Sequence, residues 1–276
     1  MGGDATDGRP EGLSAEGRAL LTRVLGRGRR LVTVDDAVEA LEVGRTEATR
    51  RLAAWAEQGW LRRVRRGLYI PVPVDAERPG AWSDDPLYLA DAVWSPCVVT
   101  GWTSANHWGL TDQVFRTTVI RTGQRVRRTR HRLAGHEYLL THARASEVGW
   151  GERSEWRHDR RIKLADPART VVDILDDSRL GGGLRLIAEI VDSYLVDGDP
   201  MLLVDYGDRL GNRAVFKRLG FLVEVLGCDA PTLVAACLVR RSAGIVLLDP
   251  SAPPTGRRES RWGLRVNVAL EPASAS

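Results

Sequence analysis

The sequence predicts a mixed α/β (α+β) protein with a small N-terminal domain and a larger mixed α/β C-terminal domain. Its 276 residues are about twice the length of a typical domain, and 43% of them are apolar, which is enough material for two cores. Helical apolar spacing and short strand-like segments follow one another along the chain. The longest apolar run, residues 233–239, is far shorter than the roughly 20 residues that span a bilayer, so we expect no membrane helix.

Residues 13–74 predict three helices followed by a two-stranded hairpin. Apolar residues at helical spacing predict the first helix over residues 14–25, which glycine ends. After a short extended segment at 31–32, Thr33 is a suitable N-cap for a second helix. A Glu-Val-Gly turn then leads into a third helix over residues 45–58, and the segments WLRRV and LYIPV predict the two strands. This order of elements is that of a winged helix-turn-helix.

A helix-turn-helix places its second helix in the DNA major groove, with the N-terminal residues of that helix at the base edges. In this sequence the third predicted helix has that position, and its polar face is rich in arginine and threonine. Arginine pairs with guanine, threonine contacts the thymine methyl group, and arginines on a wing suit phosphates or the minor groove. The predicted DNA-binding residues are Arg45, Thr46, Thr49, Arg50 and Arg51 on the helix and Arg62, Arg63, Arg65 and Arg66 on the wing.

The charge of this domain favours DNA binding over a purely structural role. Residues 18–74 contain 12 Arg and six Asp or Glu, an excess of +6, although the whole chain has a net charge of only +4. A solvated hairpin in an arginine-rich protein is the alternative interpretation of the wing. That alternative does not explain basic residues at both the helix start and the wing.

The remaining segments complete the expected domain organisation. We expect residues 1–12 to be a disordered tail, 75–82 a linker and 83–276 the C-terminal α/β domain, with Ser83 capping its first helix. The predicted helices of this domain cover 86–94, 105–108, 168–175, 184–195, 200–210, 213–226 and 229–240. The predicted strands cover 96–100, 115–121, 138–142, 161–165, 245–248 and 262–268.

A run of six arginines without an acid lies between residues 121 and 132. Such a run is either a solvated loop or a second surface that faces DNA or RNA, and the sequence leaves both open. The residues of this possible second basic patch are Arg125, Arg127, Arg128 and Arg130.

The sequence contains no recognisable catalytic, metal or cofactor motif. Its two lysines, Lys163 and Lys217, follow Ile and Phe, so there is neither the Gly-Lys of a P-loop nor the Glu-x-Lys of a restriction-type nuclease. The Asp-Gly-Asp at 197–199 is better explained as a turn and helix cap than as a two-metal site. Three widely separated cysteines and a polar N-terminal segment point to a reducing, cytoplasmic location without a secretory signal. We therefore expect a protein that is not an enzyme.

Five segments in a fixed order resemble one known family. They are RRGLYIPVP, VVTGWTSANHWGLTDQ, RIKLADPARTVVDILDD, KRLGFLVEVLG and WGLRVNV, which begin at residues 65, 98, 161, 217 and 262. Together they resemble the AbiEi-type antitoxins of type IV toxin–antitoxin systems, which act in abortive infection, and most closely the actinobacterial branch. The resemblance covers nearly the whole chain beyond residue 13.

The resemblance implies a DNA-binding repressor that is also an antitoxin. In this family the N-terminal domain binds inverted repeats in the promoter of its own operon. The C-terminal domain is associated with neutralising a nucleotidyltransferase-like toxin, generally without a stable complex. Two alternatives stay open: a winged-helix regulator whose C-terminal domain senses a small ligand, and a winged helix fused to a nuclease-like domain.

Overall fold

The computed structural model describes residues 12–26, 28–73, 84–144, 147 and 149–270. Most of the predicted tail, the predicted linker and Ser83 lie outside these residues. The fold is mixed α/β, as predicted. The chain divides into two compact units, Met1–Pro86 with Arg132–Glu137 and Leu87–His131 with Tyr138–Ser276. Among the described residues, no helix combines the length and the apolar character needed to cross a membrane.

The N-terminal unit is a winged helix-turn-helix. In chain order it contains α1 (Ala15–Leu25), β1 (Val32–Thr33), α2 (Val34–Leu41), α3 (Arg45–Glu57), β2 (Leu61–Arg65) and β3 (Leu68–Pro71). The three strands form an antiparallel sheet in the order β1-β3-β2. Each of these elements agrees with its prediction to within one residue, so the prediction of a winged helix-turn-helix is confirmed.

Local capping and a small apolar core explain why this segment folds as it does. Thr33 accepts from the backbone N–H of Asp36 at 3.1 Å, and the Asp36 carboxylate accepts from the N–H of Thr33 at 2.7 Å, which forms a capping box at the start of α2. Ala48, Leu52 and Trp55 of α3 are buried in the core of this unit. The opposite face of α3 is therefore turned towards solvent.

The rest of the described chain contains a larger mixed α/β structure. Its first part consists of α4 (Pro86–Trp94), β4 (Cys97–Val99), α5 (Gly101–His107), β5 (Thr117–Thr122), β6 (Arg130–Leu133), β7 (His136–His142), β8 (Glu152–Arg157) and β9 (Arg160–Ala165). Its second part consists of α6 (Pro167–Asp176), α7 (Leu184–Asp197), α8 (Pro200–Leu210), α9 (Ala214–Leu226), α10 (Pro231–Arg240), β10 (Val246–Leu247), β11 (Arg257–Glu259) and β12 (Leu264–Val266).

The larger unit contains a helical layer and most of a six-stranded mixed sheet, which share one core. The sheet order is β6-β7-β5-β4-β9-β8, with β4 antiparallel to β5 and parallel to β9. A second, three-stranded sheet has the order β10-β12-β11. Helix α6 is central, because every residue from Ala168 to Leu175 is buried and the helix contacts α5, α7, α8 and α9. Asp166 caps α6 by accepting from the N–H of Arg169 at 2.8 Å.

A buried ionic cluster ties α6 to the sheet. The Asp173 carboxylate accepts from Arg169 Nε at 2.8 Å, from Arg121 Nη1 at 2.7 Å and from the Thr100 hydroxyl at 2.7 Å. Arg121 Nη2 also donates to Glu147 at 2.9 Å. Arg169 lies over the Trp150 ring, with its Cζ 3.7 Å from the centroid. These buried charges pair with one another, which offsets much of the cost of their burial.

The structure corrects several predicted elements. Helix α5 begins at Gly101, not near residue 104, and Gly101 has a φ of 60° that places its backbone against Leu180. Strands β6, β8 and β11 were not predicted, because both faces of each carry polar residues and apolar alternation is lost. The last predicted strand is shortened to Leu264–Val266.

We predict that Gly220→Ala destabilises the larger unit. A Cβ at this position of α9 would lie 2.0 Å from Cη2 of Trp262, a side chain that is 1% exposed. Overpacking of this kind lowers the free energy of unfolding by about 1–3 kcal/mol, measured by urea denaturation. Gly17→Ala in α1 is the control, because its nearest neighbours are the flexible ends of Leu13 and Ser14. An equal effect of the two substitutions would contradict the close approach.

Candidate nucleic-acid interface

Most of the predicted DNA-binding residues of helix α3 lie on its solvent-exposed face. Arg45, Thr46, Thr49 and Arg50 are exposed, whereas Arg51 is partly buried. The N-cap residue of this helix is a glycine that offers no side-chain hydrogen bond. The first N–H groups of α3 therefore receive no acceptor from the cap side chain, which is a favourable arrangement for an approaching phosphate.

Glu47 holds two of the predicted DNA-binding arginines. Its carboxylate accepts from Arg50 Nε at 2.9 Å and Arg50 Nη2 at 2.8 Å, and from Arg51 Nε at 2.7 Å. We call these three residues the Glu47 clasp. The hydrogen bonds from Arg50 and Arg51 lower the pKa of Glu47 from 4.5 to about 2, and the same contacts raise the pKa of Arg50. A base or phosphate that engages Arg50 must compete with this carboxylate.

The other residues at the start of α3 are also partly engaged. Arg45 forms an exposed ion pair with Asp35 at the start of α2. The hydroxyl of Thr49 donates to the carbonyl oxygen of Arg45 at 2.8 Å, one helical turn earlier. Such exposed contacts are weak and exchange readily with another anion, since surface ion pairs are worth about 0–1 kcal/mol.

The wing presents three arginines to solvent and holds a fourth differently. Arg63, Arg65 and Arg66 are exposed, and the turn passes through Gly67 at a φ of 77°. The register of β2 against β3 shifts between Arg63 and Arg65, so the strand is irregular next to the tip.

Arg62 is partly buried. Its guanidinium lies against Gly135, and burial lowers its pKa. The two faces of the wing strand therefore give its arginines different surroundings.

The possible second basic patch is exposed but smaller than the arginine run suggested. Arg125, Arg127, Arg128 and Arg130 are exposed, and β6 begins at Arg130. Arg121, the first arginine of the run, is instead buried in the ionic cluster around Asp173. Its acidic partners are distant in sequence, so the run itself contained no signal for its burial.

The Asp-Gly-Asp segment at 197–199 lies between two helices. Asp197 is the last residue of α7 and Asp199 caps α8 by accepting from the N–H of Met201 at 2.8 Å, as predicted. Within the described ranges, no group of three or more His, Cys, Asp and Glu side chains is placed to hold a metal ion. His107 Nε2 lies 2.7 Å from a Glu155 oxygen, a pair that sequence analysis missed.

A polar cavity adjoins the ionic cluster of the larger unit. It has a volume of about 680 Å³, and its lining includes Arg121, Glu147, Asp176, Arg179 and Asn212. The Nε atom of Arg121 is buried and has no hydrogen-bond partner in the described part of the chain. Burial raises the pKa of Asp176. Sequence reasoning did not find this cavity, because its lining comes from β5, β7, α6 and residues 144, 147, 179 and 210–212, which are far apart in sequence.

The N-terminal unit contains a segment that is similar to a known protein family. Residues 20–72 match the family model described as "Transcriptional regulator, AbiEi antitoxin". The matched family is the AbiEi antitoxins. The match runs from within α1 to just beyond β3, so it contains both α3 and the wing, and it confirms the predicted resemblance for this part of the chain. It supports a DNA-binding regulator of the antitoxin class.

The chain as a whole is similar in fold to a solved structure. The crystal structure of the RV2827C protein from Mycobacterium tuberculosis superimposes with a TM-score of 0.64 at 15% sequence identity, and the match covers 93% of each chain. At this identity the likeness establishes a shared fold alone. A search of curated proteins gave no match.

We predict that the Glu47 carboxyl titrates near pH 2 and that Arg50→Gln/Arg51→Gln returns its pKa towards 4.5. Because the folded-state pKa of Glu47 is lowered, the clasp stabilises the N-terminal unit above about pH 4.5, and this contribution is lost as the pH falls towards 2. Carboxyl ¹³C NMR measures the midpoint. Arg63→Gln, which removes an arginine outside the clasp, should leave the midpoint in place. An unshifted pKa in the wild type would mean that the clasp does not persist in solution.

Proposed function

We propose that the protein is a DNA-binding transcriptional autorepressor and antitoxin of a type IV toxin–antitoxin system, and that it is not an enzyme. The observation that carries the proposal is the exposed arginine surface of α3 and the wing, within the segment that matches the AbiEi antitoxin regulators. The proposed target is double-stranded DNA of its own promoter, with inverted repeats as the operator.

The arginines of α3 and those of the wing have different roles in the proposed complex with DNA. Helix α3 lies in the major groove, where Arg50 reads a base edge through its two-pronged guanidinium. Arg63, Arg65 and Arg66 on the wing contact phosphates, which orient the domain without reading sequence. Thr46, exposed in the first turn of α3, lies at the same end of the helix. Arg62, partly buried, supports the wing more than it contacts DNA.

In the Glu47 clasp, the Glu47 carboxylate competes with DNA for the Arg50 guanidinium of α3. Glu47 occupies the donors of Arg50 that a guanine would use, so binding exchanges one bidentate partner for another. A phosphate or base that offers poorer geometry than the carboxylate gains little from this exchange. The clasp therefore disfavours weak, non-specific contacts in comparison with well-matched ones.

The antitoxin half of the proposal is supported by the family described above. The functional partner is a nucleotidyltransferase-like toxin, and direct binding to it is not required by the proposal. Co-expression of the two proteins tests this half: growth that recovers with the full chain but not with an unrelated winged helix supports neutralisation.

A second candidate function is favoured by the polar cavity beside Arg121. A cavity of about 680 Å³ with charged groups of both signs is suited to a small polar ligand. The protein would then be a ligand-responsive winged-helix regulator. A rise in melting temperature with a nucleotide or an amino acid would favour this function over the first.

The decisive experiment is a salt-titrated fluorescence anisotropy assay on DNA immediately upstream of the gene, with a scrambled duplex as the competitor. Sub-micromolar, sequence-specific binding with a steep salt dependence supports the repressor. Equal affinity for the two duplexes would overturn it and leave a generic electrostatic surface.

We predict that substituting an arginine of α3 and substituting an arginine of the wing have different effects in this assay. Arg50→Ala should weaken operator binding by roughly 1–3 kcal/mol and relax sequence preference, since a base contact is lost. Arg65→Ala should weaken binding to both duplexes similarly and reduce the salt slope by about one. Arg257→Ala on β11 removes the same charge from another exposed site and is the control. Equal binding by wild type and both test variants would exclude α3 and the wing as the interface.

We predict that Glu47→Gln tightens binding to both duplexes about two- to fivefold, because the arginines no longer leave a charged partner. The gain should be proportionally larger for the scrambled duplex, so the specificity ratio falls. Glu39→Gln on α2, which also removes one exposed acid, is the matched control. If the two substitutions act alike, the effect is one of net charge and the clasp has no role.

A further inference from the structure

The outer strand of the six-stranded sheet carries an exposed tryptophan. Strand β8 lies at one end of the sheet order and pairs with β9. In the described part of the chain no strand pairs with its open side. Trp156 on this strand is 71% exposed, although tryptophan is usually well covered in proteins. An open strand edge with an exposed aromatic side chain is typical of a surface that another chain covers.

A cavity lies on the same face of the sheet as Trp156. It has a volume of about 380 Å³ and is lined by Gly149, Trp150, Gly151, Glu152, Ser154, Arg161 and Lys163. Glu152 is fixed there, because its oxygens accept from the N–H of Gly149 at 2.8 Å and lie 2.9 Å from Lys163 Nζ. Trp156 lies two residues beyond Ser154 on the same strand and does not line this cavity in its own chain.

The pairing rules of antiparallel strands limit how two copies of β8 could meet. Along such a ladder every second residue directs its N–H and C=O groups to the same side, so a two-fold axis must pass through a residue position. An axis at Glu155 would place Glu155 against itself and Arg153 against Arg157. An axis at Ser154 instead pairs residues 152–156 of the two copies and places Arg153 opposite Glu155 of the other copy, twice.

The same axis brings the tryptophan to the cavity. With Ser154 at the centre, Trp156 of one copy lies opposite Glu152 of the other, whose side chain lines the cavity. Lys163 pairs with Ser154 next to this position, so its ammonium group offers a cation to the incoming ring. Arg153 and Glu155 are both on the face towards α5, where Arg153 Cζ lies 5.0 Å from the Trp108 ring centroid and Glu155 bonds His107. Their charges are thus held in position.

We propose that β8 is a homodimer interface, in which two copies pair antiparallel about Ser154 and each Trp156 fills the other copy's cavity. The result is one continuous sheet across two chains with two-fold symmetry. The proposal concerns the larger unit alone and does not depend on DNA binding. It goes beyond the proposed function, which does not specify an oligomeric state. A two-fold dimer would have the same symmetry as an inverted-repeat operator.

Analytical ultracentrifugation of the full chain without DNA tests the interface. Wild type should show a concentration-dependent dimer. Trp156→Ala and Arg153→Glu should each weaken the dimer at least about tenfold, the first by emptying the cavity and the second by opposing two carboxylates. The swap Arg153→Glu/Glu155→Arg should restore it, because it recreates the pair with reversed charges. Circular dichroism and the melting temperature of each variant check that it is folded.

The control removes an exposed apolar side chain elsewhere. Val239 on α10 is 83% exposed, so Val239→Ala should leave the dimer unchanged. A wild-type chain that stays monomeric up to about 100 μM, or a dimer that Trp156→Ala leaves intact, would overturn the proposal. Loss of the dimer in Val239→Ala would likewise assign the interface to α10. Because the measurement contains no DNA, its failure and that of the repressor proposal are distinguishable.

Discussion

The larger unit depends on one buried carboxylate, that of Asp173. Arg169, Arg121 and Thr100 converge on it from α6, β5 and the end of β4, and none of the four side chains is more than slightly exposed. Removing one member of such a cluster leaves an uncompensated buried charge, which costs about 3–5 kcal/mol. The cluster therefore fixes where α6 lies on the sheet. Strands β4 and β9, and through β9 the outer strand β8, take their positions from this contact.

The pairing of an arginine guanidinium with a carboxylate has a different role at the surface. In the Glu47 clasp, Arg50 bonds a carboxylate with geometry as good as that in the buried cluster. Arg50 is largely exposed, so its hydrogen bonds to Glu47 can be exchanged for those of DNA at small cost. In the buried cluster no such exchange is possible. Burial, more than the identity of the residue, decides which arginines of this chain hold the fold and which are available to a partner.

Features that depend on neighbouring residues could be predicted from the sequence, whereas features that depend on contacts between distant residues could not. The N-terminal elements were predictable to one residue because Thr33 and the glycines near the turns act over three or four positions. Arg121 was not separable from the exposed arginine run, since its partners Glu147 and Asp173 lie 26 and 52 residues away. Strand β8 was missed because alternating charges on both faces conceal its period. The candidate DNA-binding residues followed from local pattern, whereas their engagement by Glu47 required side-chain geometry.

Dimerisation through β8 would change how the winged helix uses its weak contacts. One reading helix covers few base pairs, and the clasp lowers the gain from each arginine that it releases. When two domains belong to one particle, the second binds at a high effective concentration, and the phosphate contacts of both add to one salt slope. Occupancy of a two-fold operator then rises more steeply than in proportion to protein concentration. A repressor of its own promoter needs that steepness, because its concentration is the quantity that repression controls.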